Sequence, residues 1–93
     1  MKLSTAINND VDHVSHQSNA FSDALAKAIT ARREGLKLSK YELSIRSGLS
    51  AGHVGYIEQR KRLPTVDSLK RIAIGLGTTV ESLAHEAESA CPS

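Results

Sequence analysis

Leu38-Ser39-Lys40-Tyr41-Glu42-Leu43-Ser44-Ile45-Arg46-Ser47-Gly48-Leu49-Ser50-Ala51-Gly52-His53-Val54-Gly55-Tyr56-Ile57 holds two short amphipathic segments, each opened by a serine behind a leucine. In the first, Ser39 is placed to accept a hydrogen bond from an early backbone amide, while Glu42, three residues on, reaches back to the amide of Ser39: a capping box. Leu38 just outside the cap and Leu43 in the first turn form a hydrophobic staple that fixes how the chain enters the helix. The second segment repeats the device with Ser50 as cap, Leu49 before it and Val54 four positions after it. Gly48 closes the turn between them, because glycine takes a left-handed backbone conformation without steric cost. The spacing predicts helices near 40–47 and 51–59, joined by a turn of a few residues. That layout is a helix-turn-helix, whose second helix is built to enter a DNA major groove.

Working outward, Met1 to about Asn19 is rich in Asn, Ser, Asp and His and lacks a helical apolar repeat; residues 1–19 read as a flexible arm. A first helix is expected from between Asn19 and Ser22 to Glu34, with Phe21, Leu25 and Ile29 on one stripe and Gly35 as stop signal. After Arg60-Lys61-Arg62-Leu63-Pro64, Thr65 caps a fourth helix whose buried face is Leu69, Ile72, Ala73 and Leu76, ended by Gly77. Thr78 to Glu81 offers a further capping box, with Val80, Leu83 and Ala84 as a short fifth stripe. Beyond Ala87 the chain reads as frayed. The expected organisation is an arm at 1–19, one domain at 20–87 and a tail at 88–93.

Length and composition agree with one small all-α domain. At 93 residues a chain buries only about 60% of its unfolded surface. Phe21, Tyr41 and Tyr56 are the only rings and Trp is absent, so the core must be Leu, Ile, Val and Ala, which suits closely packed small helices. Cys91 is the single cysteine and has no intramolecular disulfide partner; this fits a reducing, cytoplasmic setting. No signal-peptide pattern and no membrane-length apolar run is present. The net charge of +2 is unevenly spread, since eleven Lys or Arg between Ala20 and Gly77 stand against five acids. Concentrated positive charge raises affinity for a phosphate backbone, although such charge also serves as an ordinary solvated surface.

Taken together, Arg33, Leu38-Ser39-x-x-Glu42-Leu43, Gly48-Leu49-Ser50, Val54, Ile57-Glu58, Pro64-Thr65 and Leu69-x-x-Ile72-Ala73 resemble the lambda-repressor and Cro-type (XRE family) DNA-binding domain, over roughly Leu25 to Leu83. The resemblance implies a compact five-helix bundle, a third helix that reads DNA, and a homodimer acting as a transcriptional regulator on a near-palindromic operator. It implies an ion pair between Arg33 and Glu58 that ties the first helix to the end of the third. The residues agree, since a Glu directly after a buried Ile57 needs a cationic partner. Lys40 stands where the family usually has Gln; a lysine neutralises a phosphate but lacks the amide's paired donor and acceptor.

The exposed positions of the reading helix are expected to be Ala51, Gly52, His53, Gly55, Tyr56 and Gln59. Ala51, Gly52, Gly55, Tyr56 and Gln59 are the candidates for base contacts: Ala51 against a thymine methyl, Gln59 on an adenine or a phosphate, Tyr56 by stacking or on a phosphate, and the glycines through close backbone approach. Lys40, Arg46, His53, Arg60, Lys61 and Arg62 are the candidates for phosphate contacts. Arg60 occupies a position often held by glycine, so the third helix is expected to end differently there. Ile45 falls where the pattern calls for a polar surface residue, which suits either a partner contact or a lone exposed side chain. His13-x-x-His16, His53, His85 and Cys91 lack zinc-ligand spacing, and no metal or other cofactor is expected. Nor is there a nucleophile motif, phosphate-cradling glycine loop or close carboxylate pair to suggest an enzyme. The alternative function is a protein-interaction module, such as an antitoxin or adaptor, with weak or secondary DNA binding and the N-terminal arm folding onto a protein partner.

Overall fold

Local hydrogen bonding sets where each helix starts. In the computed structural model, which describes residues 2–91 and the side chains from residue 12 onward, five helices follow one another: α1 Lys2–Gly35, α2 Lys40–Ser47, α3 Ala51–Glu58, α4 Val66–Gly75 and α5 Val80–Ala90. Ser39, Ser50, Thr65 and Thr79 cap α2 to α5, each side-chain oxygen accepting from the amide three residues on. At Ser39 the box is complete: the Glu42 amide donates to Ser39 Oγ at 3.0 Å and the Ser39 amide to Glu42 Oε1 at 2.9 Å. The expected box from Thr78 to Glu81 does not form. Thr79 is the cap, and its partner three residues on is Ser82.

Helix ends are set by left-handed residues. Lys37, Arg60 and Gly77 have φ of 58°, 62° and 69°, and after each the next amide reaches back five residues, to Arg33, Tyr56 and Ala73. This is the Schellman closure. Gly35 is therefore the last residue of α1 rather than its stop, and Arg60 adopts the left-handed conformation that the sequence argued against.

α1 packs mainly on α5, while α2 packs on α4 and α3. Leu25, Ile29, Leu43, Val54, Ile57, Ile72, Leu76 and Leu83 meet in one core, with Phe21, Leu49, Leu69 and Val80 packed around it. Full burial of each large side chain is worth about 1.5–3 kcal/mol, so this small cluster supplies most of the driving force. Gly75 sets how close α4 comes to α2. A Cβ there would stand 3.0 Å from Leu43 Cδ1 and 3.2 Å from the Ser47 amide nitrogen, so α2 would have to give by a few tenths of an ångström to admit it.

Two segments differ from expectation. Residues 12–19 are all exposed, which fits the expected arm, but the helix expected to start between Asn19 and Ser22 begins at Lys2, so the backbone of 2–19 is helical and continuous with the rest of α1. The helical repeat was hidden because Asn, Ser, Asp and His dilute it. α5 likewise continues past Ala87 to Ala90. Residues 1, 92 and 93 of the expected arm and tail lie outside the described residues. Among the described residues no helix is long and apolar enough to cross a membrane.

Candidate nucleic-acid interface

The α2–α3 unit is held by the turn at Gly48, whose φ of 73° suits glycine and whose amide donates to the Ser44 carbonyl at 2.9 Å. Arg71 of α4 lies across this turn, with Nη1 3.1 Å from where a Gly48 Cβ would be. That makes Arg71 a basic neighbour of the motif that the sequence reading missed. Its own signal was the Asp67–Arg71 spacing on α4, realised as an ion pair at 2.9 Å.

On α3, Val54, Gly55 and Ile57 are buried. Gly52, Tyr56 and Gln59 face solvent, with Ala51 and His53 half-exposed on the flanks. Gly52, Tyr56 and Gln59 recur at the i, i+4, i+7 spacing of one helix face. Gly55 departs from the expectation: it is buried, and a Cβ at that position would lie 3.9 Å from Lys40 Cδ. Its helical phase keeps it on the face of Gly52 and Gln59, three and four positions away, and its burial comes from the Lys40 stem lying over it. Lys40 lays its methylene stem over α3, leaving the ammonium end of a half-exposed residue beside the outward face.

Arg33 anchors α3 from behind. Its Nε donates to Glu58 Oε2 at 2.7 Å, Nη2 to Glu58 Oε1 at 3.0 Å, and Nη1 to the Leu38 carbonyl at 2.8 Å. The two side chains are only 11% and 4% exposed. The hydrogen bonds that Arg33 donates to Glu58 raise the guanidinium further above its ordinary value, fixing the charged form.

The three basic residues after α3 divide into two kinds. Lys61 and Arg62 are exposed, and both their amides donate to the Tyr56 carbonyl, at 2.9 and 3.2 Å, which pins the loop against α3. Arg60 turns back instead. Its Nη1 donates to the Asn19 carbonyl at 3.2 Å and pairs with Asp23, both on α1, while its Nε is buried without a partner. As it stands, Arg60 clamps α3 to α1 and does not present a free cation. Arg46, at the end of α2, is exposed, and so is Ile45. His13 and His16 are exposed on α1, and among the described residues no three His, Cys, Asp or Glu side chains cluster as a metal site.

A helix-turn-helix family model (HTH_3) matches residues 29–83. The chain belongs to this helix-turn-helix family. It is the lambda-repressor or Cro type implied by the sequence resemblance. Among solved structures, the gene regulator ClgR from C. glutamicum superposes with a TM-score of 0.71 at 22% identity, covering 77% of this chain and 94% of that one. The wild-type restriction-modification controller protein C.Esp1396I superposes with a TM-score of 0.68 at 21% identity, covering 75% and 90%. At that identity the likeness is one of fold. No curated protein matches the chain.

Proposed function

We propose that this protein is a sequence-specific DNA-binding transcriptional regulator that places α3 in the major groove, acting as a homodimer on a near-palindromic operator. The observation that carries the reading is the outward face of α3. Gly52, Tyr56 and Gln59 form a narrow strip free of bulky aliphatic side chains, of a size that a groove about 12 Å wide accepts. Gln59 supplies the amide that pairs with adenine, and Tyr56 and Ala51 supply apolar contact with thymine methyls. Gly52 allows the backbone to approach closely. Lys40, Arg46, His53, Lys61 and Arg62 border the strip as phosphate ligands, and Arg71 across the turn joins them. With so few hydrogen-bonding groups on α3, groove shape and phosphate geometry carry much of the selectivity. The regulatory role of ClgR and of the C.Esp1396I controller, which share the fold, supports the same reading.

The test is a labelled-duplex titration across salt concentration. Binding through the five Lys and Arg among these contacts gives a log–log slope of about −4.5, because each contributes about −0.9. No binding to any duplex at low salt overturns the proposal.

A further inference from the structure

We propose that Lys40 of α2 reads a guanine of the operator across Gly55, supplying from outside α3 a base contact that the side chains of α3 lack. The inference rests on the placement of α3 in the major groove and gives Lys40 a task beyond its phosphate contact. Around α3, Gly55 falls between Ala51 and Gln59, four positions from each, and on the side of Gly52. Ala51, Gly52 and Gly55 carry at most a methyl group, so this flank of the reading face is nearly bare backbone. The stem of Lys40 lies in the space so left. Its Cδ is 3.9 Å from where a Gly55 Cβ would stand, an ordinary van der Waals contact, and the ammonium follows one methylene further on.

Local structure fixes where that side chain is rooted. Lys40 is the first residue of α2, directly behind the Ser39–Glu42 capping box that sets the helix start. Arg33 donates to the Leu38 carbonyl at 2.8 Å and, through Nε and Nη2, to Glu58 at the end of α3. One buried guanidinium thus holds the start of α2 against α3. The only carboxylates of α2 and α3 are both occupied, Glu58 by Arg33 and Glu42 by the Ser39 amide. Among the described residues Lys40 enters no ion pair, so its charge is left for a ligand.

Guanine is the base that such a group fits. A lysine ammonium offers three donors and no acceptor. In the major groove guanine presents two neighbouring acceptors, O6 and N7, with no donor between them. Adenine sets a donor amino group beside its N7, thymine sets a methyl group beside its O4, and cytosine offers only a donor. A group that can only donate therefore discriminates for guanine, while the amide of Gln59 takes the adenine. Because Gly55 has no side chain, the Lys40 stem stands where a side chain of α3 would otherwise stand, and the contact is made from the reading face although the residue belongs to α2.

Selection of bound duplexes from a random library, with the unsubstituted chain and with Lys40→Ala, tests this. Duplexes selected by the unsubstituted chain should hold a fixed guanine in each half-site. Exchanging that base pair for any other should weaken binding about tenfold for the unsubstituted chain and for Gln59→Ala, but less than about twofold for Lys40→Ala. Gly55→Gln keeps the Lys40 charge but displaces its stem, and should lose the same preference. Lys61→Ala should weaken both duplexes equally, as a phosphate contact does. Circular dichroism melts show whether each variant folds. If Lys40→Ala or Gly55→Gln does not, a duplex with 7-deazaguanine at that position, which lacks the N7 acceptor, decides with the unsubstituted chain alone: binding should weaken about fivefold or more. Selected duplexes without a fixed guanine, a guanine preference that survives Lys40→Ala, or unaltered binding to the 7-deazaguanine duplex overturns this inference and leaves the placement of α3 standing. A chain with no preference for any duplex overturns both.

Discussion

Arg33 and Glu58 form a bidentate ion pair, with Nε–Oε2 at 2.7 Å and Nη2–Oε1 at 3.0 Å, that joins α1 to the end of α3 behind its outward face. Removing one partner leaves the other charged, buried and unpaired. Arg33→Ala or Glu58→Ala should cost about 3–5 kcal/mol, a large part of the 5–15 kcal/mol typical of a small domain. Arg33→Met combined with Glu58→Leu should recover most of that loss, because neither charge remains. Urea denaturation of the four proteins decides; single variants within 1 kcal/mol of the parent would show that the pair is not holding α3.

Gly75→Ala tests the contact between α4 and α2. On an isolated helix this change stabilises by about 1 kcal/mol. Here the new methyl meets Leu43 and the backbone at Ser47 and Arg46, and overpacking should dominate, lowering stability by about 1–3 kcal/mol. A raised melting temperature would mean that α4 moves aside freely.

The bonds of Arg60 to Asn19 and Asp23 separate it from its two neighbours. Lys61→Ala and Arg62→Ala should each flatten the salt dependence of DNA binding by about 0.9 in log–log slope. Arg60→Ala should leave that slope unchanged while lowering stability. A flattened slope for Arg60→Ala would mean that the clamp opens and delivers the guanidinium to a phosphate.

Two carboxyl groups link stability to pH. Glu42 is held below its ordinary value of 4.5 chiefly by the Ser39 backbone amide, then by the Ser39 side chain. Glu86 is held low by its hydrogen bonds from Arg32. A depressed carboxyl stabilises the fold above its unfolded value, and that contribution is lost as pH falls through the folded value. The melting temperature should therefore fall from about pH 5 downward. The double variant Glu42→Gln, Glu86→Gln should start lower at neutral pH and fall less steeply. Parallel curves would contradict the assignment.

What was legible in the sequence was what neighbouring residues decide. Ser39 with Glu42, Ser50 before Val54, Gly48 at its turn and Thr65 before Asp67 are local devices, and each appears where the spacing places it. What escaped depends on contacts far apart in the chain. Arg60 takes a left-handed conformation that its residue type disfavours, and there it meets Asp23, 37 positions away. Gly55 shares the helical phase of Gly52 and Gln59, and only the stem of Lys40, fifteen positions earlier, covers it. The N-terminal half of α1 was overlooked because its apolar residues are sparse among Asn and Ser, so no short window shows the repeat.

The central claim, that α3 reads DNA through Gly52, Tyr56 and Gln59, is tested most directly by selecting bound duplexes from a random library and comparing the best duplex with a scrambled one at fixed salt. The account predicts at least about a thousandfold preference for the selected duplex. Gln59→Ala should reduce it by about tenfold without changing the salt slope. An equal affinity for selected and scrambled duplexes, or a preference untouched by Gln59→Ala and Tyr56→Ala together, would contradict it.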